Sequence, residues 1–237
     1  MAAERVDPVA NYGAYKGWRL LPRSVLVEGT SDESLFGLAA DLHRVATGKH
    51  LLADLAIVAA GEGDRGGTHG VVRELVVLRG LVGSHLSPTG RPIYRVIGLF
   101  DDDAAGRKAV NGARAVDTAI VEYRDVFRIR PVMPVVGNLD PGAVQRGFDK
   151  ANEPFKGLAW ELEDMIGDDL MQLFLEDHPT AMVREHRAGE ACHRDLTRDG
   201  KAKLVRFCRA NADLASLTRL IEAIHALRCY MALPDLR

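Results

Sequence analysis

The sequence predicts an α/β protein with a mostly parallel, Rossmann-like sheet flanked by helices and followed by a helical C-terminal extension. Three short apolar runs each end abruptly in glycine, acidic or small polar residues, and a helical pattern follows each of them. Strands that alternate with helices in this way are typical of βαβ units. At 47% hydrophobic and 27% charged residues, the composition is that of a folded chain.

The first 137 residues contain all of the predicted strands of the sheet. Residues 1–20 hold proline, glycine and scattered aromatic residues, and we expect an irregular segment there. Buried strands are predicted at Ser24–Val27, Leu55–Ala60 and Tyr94–Phe100. The helices that follow them are predicted to end near Val45, Val82 and Val121. Val126–Val136 is rich in β-branched residues, but Pro131 and Pro134 limit it to an edge strand or a broken one.

The character of the chain changes after Gly137. Residues 138–154 are polar and indicate a connector, residues 155–178 indicate one or two helices, and residues 179–200 are charged and irregular. Two further helices are predicted around Leu204–Asn211 and Leu214–Tyr230. We therefore divide the chain into an N-terminal segment (1–21), an α/β domain (22–137) and a helical extension packed on that domain (138–237).

Composition narrows the functional classes. The formal net charge is −2, so the bulk basic field of many DNA-coating proteins is missing. The three cysteines are far apart and indicate neither a zinc site nor a disulfide framework. No apolar run approaches the ~20 residues of a membrane span, and the N-terminus has no signal-peptide pattern, so we expect a cytoplasmic protein.

Carboxylates follow two of the predicted strands. Glu28 and Asp32 come after the first, and Asp101 and Asp103 come after the third. Parallel strands place such residues at one edge of the sheet, where ligands bind. Carboxylates that close cannot all remain ionised without a cation between them. Hard divalent ions with oxygen ligands, Mg²⁺ or Mn²⁺, suit such a site.

Two motifs carry a resemblance to a known family. Val27–Asp32 (Val-Glu-Gly-Thr-Ser-Asp) and Phe100–Arg107 (Phe-Asp-Asp-Asp-Ala-Ala-Gly-Arg) resemble the Toprim (topoisomerase–primase) domain. The acid four residues after the glutamate is most similar to Toprim nucleases of the OLD (overcoming lysogenization defect) type, found in phage-defence systems. The resemblance implies a two-metal endonuclease acting on DNA or RNA. It also implies a later acid and a lysine near the metals, for which Glu163 and Lys201 are the candidates.

The expected roles follow from phosphodiester hydrolysis by two divalent ions. Asp101 and Asp103 are expected to hold one ion together, with Asp32 as a further ligand. Glu28 is expected to hold a metal or act as general base or acid, and Lys201 to offset charge on the phosphate.

The sequence also allows expectations about substrate contacts and partner subunits. Gly29 and Arg107 are the expected substrate contacts. Because the sequence has no Gly-x-x-x-x-Gly-Lys-[Ser/Thr] motif, an ATPase of the ABC or SMC type would be a separate subunit. The sequence leaves the oligomeric state open, a homo-oligomer included.

Other interpretations remain open at this stage. One alternative is a Toprim module that binds nucleic acid or a partner protein without cutting, because such a module could keep the same acidic residues. Haloacid-dehalogenase-type phosphatases also use an Asp-x-Asp pair, here Asp101 and Asp103, although usually on the first strand. Glu62 and Asp64 follow the second strand, and we expect them to cap the next helix at an exposed tip rather than to lie in the site. A run of basic residues from Arg184 to Arg209 fits either a solvated face or a track for phosphates.

Overall fold

The computed structural model describes residues 6–61, 67–189 and 191–237. Its central sheet has four parallel strands in the order β2-β1-β3-β4. The strands are β1 (Arg23–Val27), β2 (Ala56–Ala59), β3 (Arg95–Phe100) and β4 (Val126–Arg128). The predicted α/β class with a parallel sheet is therefore confirmed. Because β1 pairs directly with β3, the two strands that carry the acidic motifs end side by side.

Helices cover the sheet and form most of the C-terminal region. They are α1 (Pro8–Tyr15), α2 (Thr30–Thr47), α3 (Gly67–Ser84), α4 (Ala104–Val116), α5 (Pro141–Ala151), α6 (Asp168–Asp177), α7 (Arg198–Asn211) and α8 (Thr218–Tyr230). Short 3₁₀ helices occur at Glu153–Phe155 and Leu162–Met165. Two antiparallel strands, β5 (Met182–Ala188) and β6 (Ala191–Leu196), make a separate hairpin.

The sheet separates two hydrophobic clusters, as the alternation of side chains along a strand requires. Leu26 and Phe100 belong to one cluster, with residues of α3 and α4. Val25 and Val27 belong to the other, with residues of α2, α7 and α8. The α/β region and the C-terminal helices thus share one hydrophobic core, which fixes α7 beside the end of β1.

The structure differs from the sequence prediction in several elements. The N-terminal segment is not wholly irregular, because the Asp7 side chain accepts hydrogen bonds from Val9 and Ala10 and caps α1. Within residues 179–200, predicted to be irregular, β5 and β6 pair as antiparallel strands and α7 begins at Arg198. Conversely, the strand predicted over 126–136 is only three residues long, as expected for a segment interrupted by prolines. Within the described residues, no helix is long and apolar enough to cross a bilayer.

Candidate functional site

The first part of the site is the turn from β1 into α2. Glu28 follows the last residue of β1, and Gly29 is the N-cap of α2. The Asp32 carboxylate accepts a hydrogen bond of 2.9 Å from the Gly29 amide, which turns it back toward the strand end. The sequence Glu-Gly-Thr-Ser-Asp therefore positions two carboxylates over the same edge of the sheet.

The second part is the turn from β3 into α4. The Asp101 amide donates a 3.3 Å hydrogen bond to Glu28 Oε1, which joins the two predicted motifs directly. Asp103 is the N-cap of α4, and its Oδ1 accepts from the Gly106 amide at 2.6 Å. A Cβ at Gly106 would overlap the Asp101 carbonyl oxygen, so only glycine permits this close approach of α4 to the end of β3.

The third part is contributed by the segment before α6. Trp160 forms an antiparallel bridge with Asp102, which places the next residues against the end of β3. As a result, the Leu162 amide donates a 3.1 Å hydrogen bond to Asp101 Oδ1. Glu161 and Glu163 flank this contact. The sequence predicted a helix here, whereas the structure has an extended bridge followed by one 3₁₀ turn.

Lys201, near the start of α7, supplies a positive charge. Its Nζ lies 3.1 Å from Glu161 Oε2 and 3.2 Å from Glu163 Oε2. The structure thus brings both candidate late residues, Glu163 and Lys201, together. It also adds Glu161, which was not among the site residues predicted from the sequence.

A cavity of about 480 Å³ lies over these residues. Its acidic wall contains Glu28, Asp32 and Asp101. Its basic wall is one face of α7, with residues at helical spacing: Arg198, Lys201, Ala202, Val205 and Arg209. The volume is within the ~300–1,000 Å³ range of ligand pockets.

The carboxylates of the acidic wall have raised pKa values. Burial, with the charges of Asp32 and Asp103, raises the pKa of Glu28 to about 7. Burial and the charge of Glu163 raise the pKa of Asp32 to about 7. The pKa of Asp101 is raised well above its usual range by burial and by its acidic neighbours. For Lys201, burial favours the neutral form, but Glu163 and Asp101 outweigh it and raise the pKa.

Asp102 serves the fold. It is buried, and its carboxylate forms ion pairs with Arg128 at 2.6 Å, Arg130 at 2.9 Å and Arg107 at 3.3 Å. The alternation of side chains at the end of β3 points it away from Asp101. Arg107, predicted to contact substrate, is engaged in this ion pair and does not line the cavity.

The donor set is suited to a hard divalent cation. Glu163 Oε1 is buried without a hydrogen-bond partner, and all of the candidate ligands are carboxylates. Among residues 6–61, 67–189 and 191–237, no group of three His, Cys, Asp or Glu side chains has a geometry that could hold an ion as it stands. The Lys201 ammonium instead lies against the two glutamates. The side chains thus match a hard divalent cation in the type of donor atom, while their present arrangement is that of a site occupied by the lysine.

A buried network of hydrogen bonds connects the β5–β6 hairpin to the 3₁₀ turn Leu162–Met165. His193 Nδ1 lies 2.7 Å from Asp164 Oδ2, and His193 Nε2 lies 3.0 Å from Asp195 Oδ1. Asp164 Oδ1 also accepts from the Arg194 amide at 2.9 Å. Sequence reasoning missed this network, because its members are far apart in sequence and show no ligand-like spacing. It fixes the residue next to Glu163.

The basic run divides into two groups. Five of its side chains form ion pairs with acids: Arg184 with Asp195, Arg187 with Glu185, Arg194 with Asp168, Lys201 with Glu161 and Glu163, and Lys203 with Asp199. Arg198 and Arg209 line the cavity, as Lys201 also does. Only part of the run can therefore face a substrate. Glu62 and Asp64 lie outside the described residues.

The fold and the acidic edge of the sheet define an α/β protein with a charged pocket at the ends of its parallel strands. No protein-family model and no curated protein matches the chain. Two solved structures are similar to it, both of the C-terminal region of the OLD protein of Xanthomonas campestris pv. campestris, phased with platinum and with mercury. Each is 12% identical and covers 90% of this chain, with TM-scores of 0.40 and 0.39. The matches span 94% and 97% of those chains.

Proposed function

We propose that this chain is a Toprim-type nuclease that hydrolyses phosphodiester bonds of DNA or RNA with Mg²⁺ or Mn²⁺. One observation carries the proposal: Glu28, Asp32 and Asp101 meet Glu161 and Glu163 around the ammonium group of Lys201. This excess of negative charge is buried at the ligand-binding edge of a parallel sheet, where a cation would relieve it.

Glu28, Asp32, Asp101 and Glu163 would hold the metal, and Asp103 stands close enough to Glu28 to raise its pKa. A bound divalent ion supplies activation of the attacking water and stabilisation of charge on the phosphate. Glu28, with a pKa of about 7, can accept or release a proton near neutral pH. Lys201 can turn toward a phosphate oxygen and offset its charge.

A role in phage defence with a separate ATPase subunit, in the cytoplasm, extends the proposal. It is supported by the resemblance of the two motifs to OLD-type nucleases, and it needs its own test. Co-purification with a separately encoded ATPase would support it. Full protection of host cells from phage by the chain alone would count against the need for that subunit.

The activity itself is tested by cleavage of plasmid, linear and single-stranded DNA and structured RNA with Mg²⁺ or Mn²⁺. We expect metal-dependent cutting that Glu28→Gln and Asp101→Asn each reduce at least 100-fold. Glu222→Gln, an acid on α8 beside a different cavity, is the matched control and should cut normally. Metal-dependent cutting that survives in both site variants would assign the activity elsewhere. Trapping a phospho-aspartate at Asp101 would favour the phosphatase interpretation instead.

A further inference from the structure

A second surface adjoins the carboxylate cavity, formed by the segment that links α1 to β1. A cavity of about 520 Å³ is lined by Trp18, Arg19 and Thr30, and one of about 450 Å³ is lined by Tyr15, Lys16, Trp18 and Arg73. Gly61 lines both of these cavities and the carboxylate cavity as well. The three cavities therefore lie next to one another, with Gly61 as a shared lining residue.

This surface combines aromatic rings with positive charge. We call Tyr15, Lys16, Trp18, Arg19 and Arg73 the aromatic–basic shelf. Tyr15 is 85% exposed, and Arg19 is exposed as well. Trp18 is half-buried and lines both cavities.

The shelf is held in place by one buried acid. Glu74 is 1% exposed and accepts a hydrogen bond from Tyr12 at 2.6 Å. The same carboxylate forms ion pairs with Lys16 at 3.0 Å and Arg73 at 2.8 Å. Lys16 Nζ also lies 5.2 Å from the centre of the Trp18 ring. These contacts fix the backbone and the indole before any ligand arrives, which lowers the entropic cost of binding.

We propose that the aromatic–basic shelf binds unpaired nucleotides of a nucleic-acid strand beside the carboxylate site. Aromatic rings interleaved with basic side chains are the recurring platform for single strands, because any base can stack on them while its phosphates meet the positive charges. A base inside a duplex has both of its faces covered and cannot stack in this way. The substrate class is therefore a nucleic acid that is single-stranded next to the scissile phosphate. This inference rests on the proposed nuclease function and adds its strand preference.

The test measures binding without cutting. In EDTA, wild-type protein is titrated with a short fluorescein-labelled thymidine oligonucleotide, its ribose counterpart and a duplex of the same length. Trp160 is 1% exposed, so quenching of tryptophan fluorescence by the unlabelled strand reports on Trp18. We expect both single strands to quench the fluorescence and to bind at least tenfold more tightly than the duplex.

Variants separate stacking from charge. Trp18→Leu should weaken single-strand binding about tenfold, with Trp18→Phe recovering part of the loss, and Tyr15→Ala should weaken it about fivefold without changing the folded structure. Arg19→Ala should lower the salt dependence of binding by about 0.7 in the logarithmic slope. Arg114→Ala removes an equally exposed arginine on α4 and is the matched control.

The outcomes distinguish this inference from the nuclease proposal. Equal affinity for single strand and duplex, with Tyr15→Ala and Trp18→Leu both binding like wild type, would overturn the shelf as a single-strand site. Cutting by wild type and by both variants at the same rate on every substrate would do so too, while leaving the nuclease function standing. Single-strand binding that the variants reduce, in a protein that cuts nothing with metal, would uphold the shelf and refute the nuclease.

Discussion

Asp32→Asn should stabilise the metal-free protein. Asp32 has a pKa of about 7, because burial and the charge of Glu163 disfavour its ionised form. An acid whose pKa is raised on folding favours the folded state while it is protonated, and that contribution is lost as the pH rises through the folded pKa. Asparagine keeps the oxygen that accepts the Gly29 amide at 2.9 Å and removes the charge.

The magnitude follows from the shift. Raising the pKa from 3.8 to about 7 corresponds to about 4 kcal/mol at 1.36 kcal/mol per unit, fully expressed above pH 7. Asp32 shares this cost with its acidic neighbours, so we expect about 2–4 kcal/mol at pH 8 and less than about 2 kcal/mol at pH 5. For a chain of this length, the gain at pH 8 corresponds to about 5–15 °C in Tm.

The assay is thermal unfolding of wild type and Asp32→Asn in EDTA at pH 5 and pH 8, repeated with Mg²⁺. The variant should be more stable at pH 8 in EDTA, and added Mg²⁺ should narrow the difference by stabilising only the wild type. Asp102→Asn is the matched control. The same substitution there removes the acid that Arg107, Arg128 and Arg130 share, leaving Arg128 paired with Glu122, and should destabilise the protein by about 3–5 kcal/mol. A variant Asp32→Asn that is neutral or less stable at pH 8 in EDTA would refute the reasoning.

Three further predictions concern α4 and α7. Gly106→Ala should lower the free energy of unfolding by at least about 1–3 kcal/mol, because the new methyl group overlaps the backbone. Gly112→Ala, in open space on the same helix, should raise it by about 0.5–1 kcal/mol. Chemical denaturation measures both, and equal effects would contradict the packing argument. Lys201→Gln should lower Tm in EDTA and recover with Mg²⁺, because it leaves the half-buried Glu161 and the buried Glu163 without their ammonium; an unchanged Tm in EDTA would contradict this. Arg209→Ala, on the cavity wall, should weaken nucleic-acid binding without changing stability, whereas Arg206→Ala, outside the cavity lining, should bind like the wild type. Equal loss of affinity in both variants would indicate that binding depends on overall positive charge and not on the cavity.

The sheet was predictable because its signal is local. Each strand is an apolar run that ends in small or acidic residues, so Glu28 and Asp101 could be placed at strand ends from the sequence. Their adjacency was not readable from chain order alone, since β2 lies between β1 and β3 in the sequence. It depends on β1 pairing with both of the other strands, which is a property of the whole sheet.

The late part of the site was predicted less well, because its geometry depends on long-range contacts. The sequence around Glu161 and Glu163 suggests a helix, on which two residues spaced i and i+2 face different directions. The bridge between Trp160 and Asp102 replaces that helix with an extended segment, and both glutamates reach Lys201. The hairpin was missed for a related reason, since the side chains of β5 are mostly exposed and charged and do not alternate in polarity.

The three consecutive aspartates after β3 show how the fold distributes its positive charge. Asp102 is matched by three arginines and needs no further cation. Asp101, one residue earlier, is buried among Asp32, Glu28 and Glu163, and the positive charge that acts on it is that of Lys201. Three guanidinium groups surround Asp102, whereas Asp101 has no comparable set of arginines among the described residues. A divalent ion would remove the cost of that imbalance, so the shortage of positive charge around Asp101 supports the proposed cation site more strongly than the number of acids does.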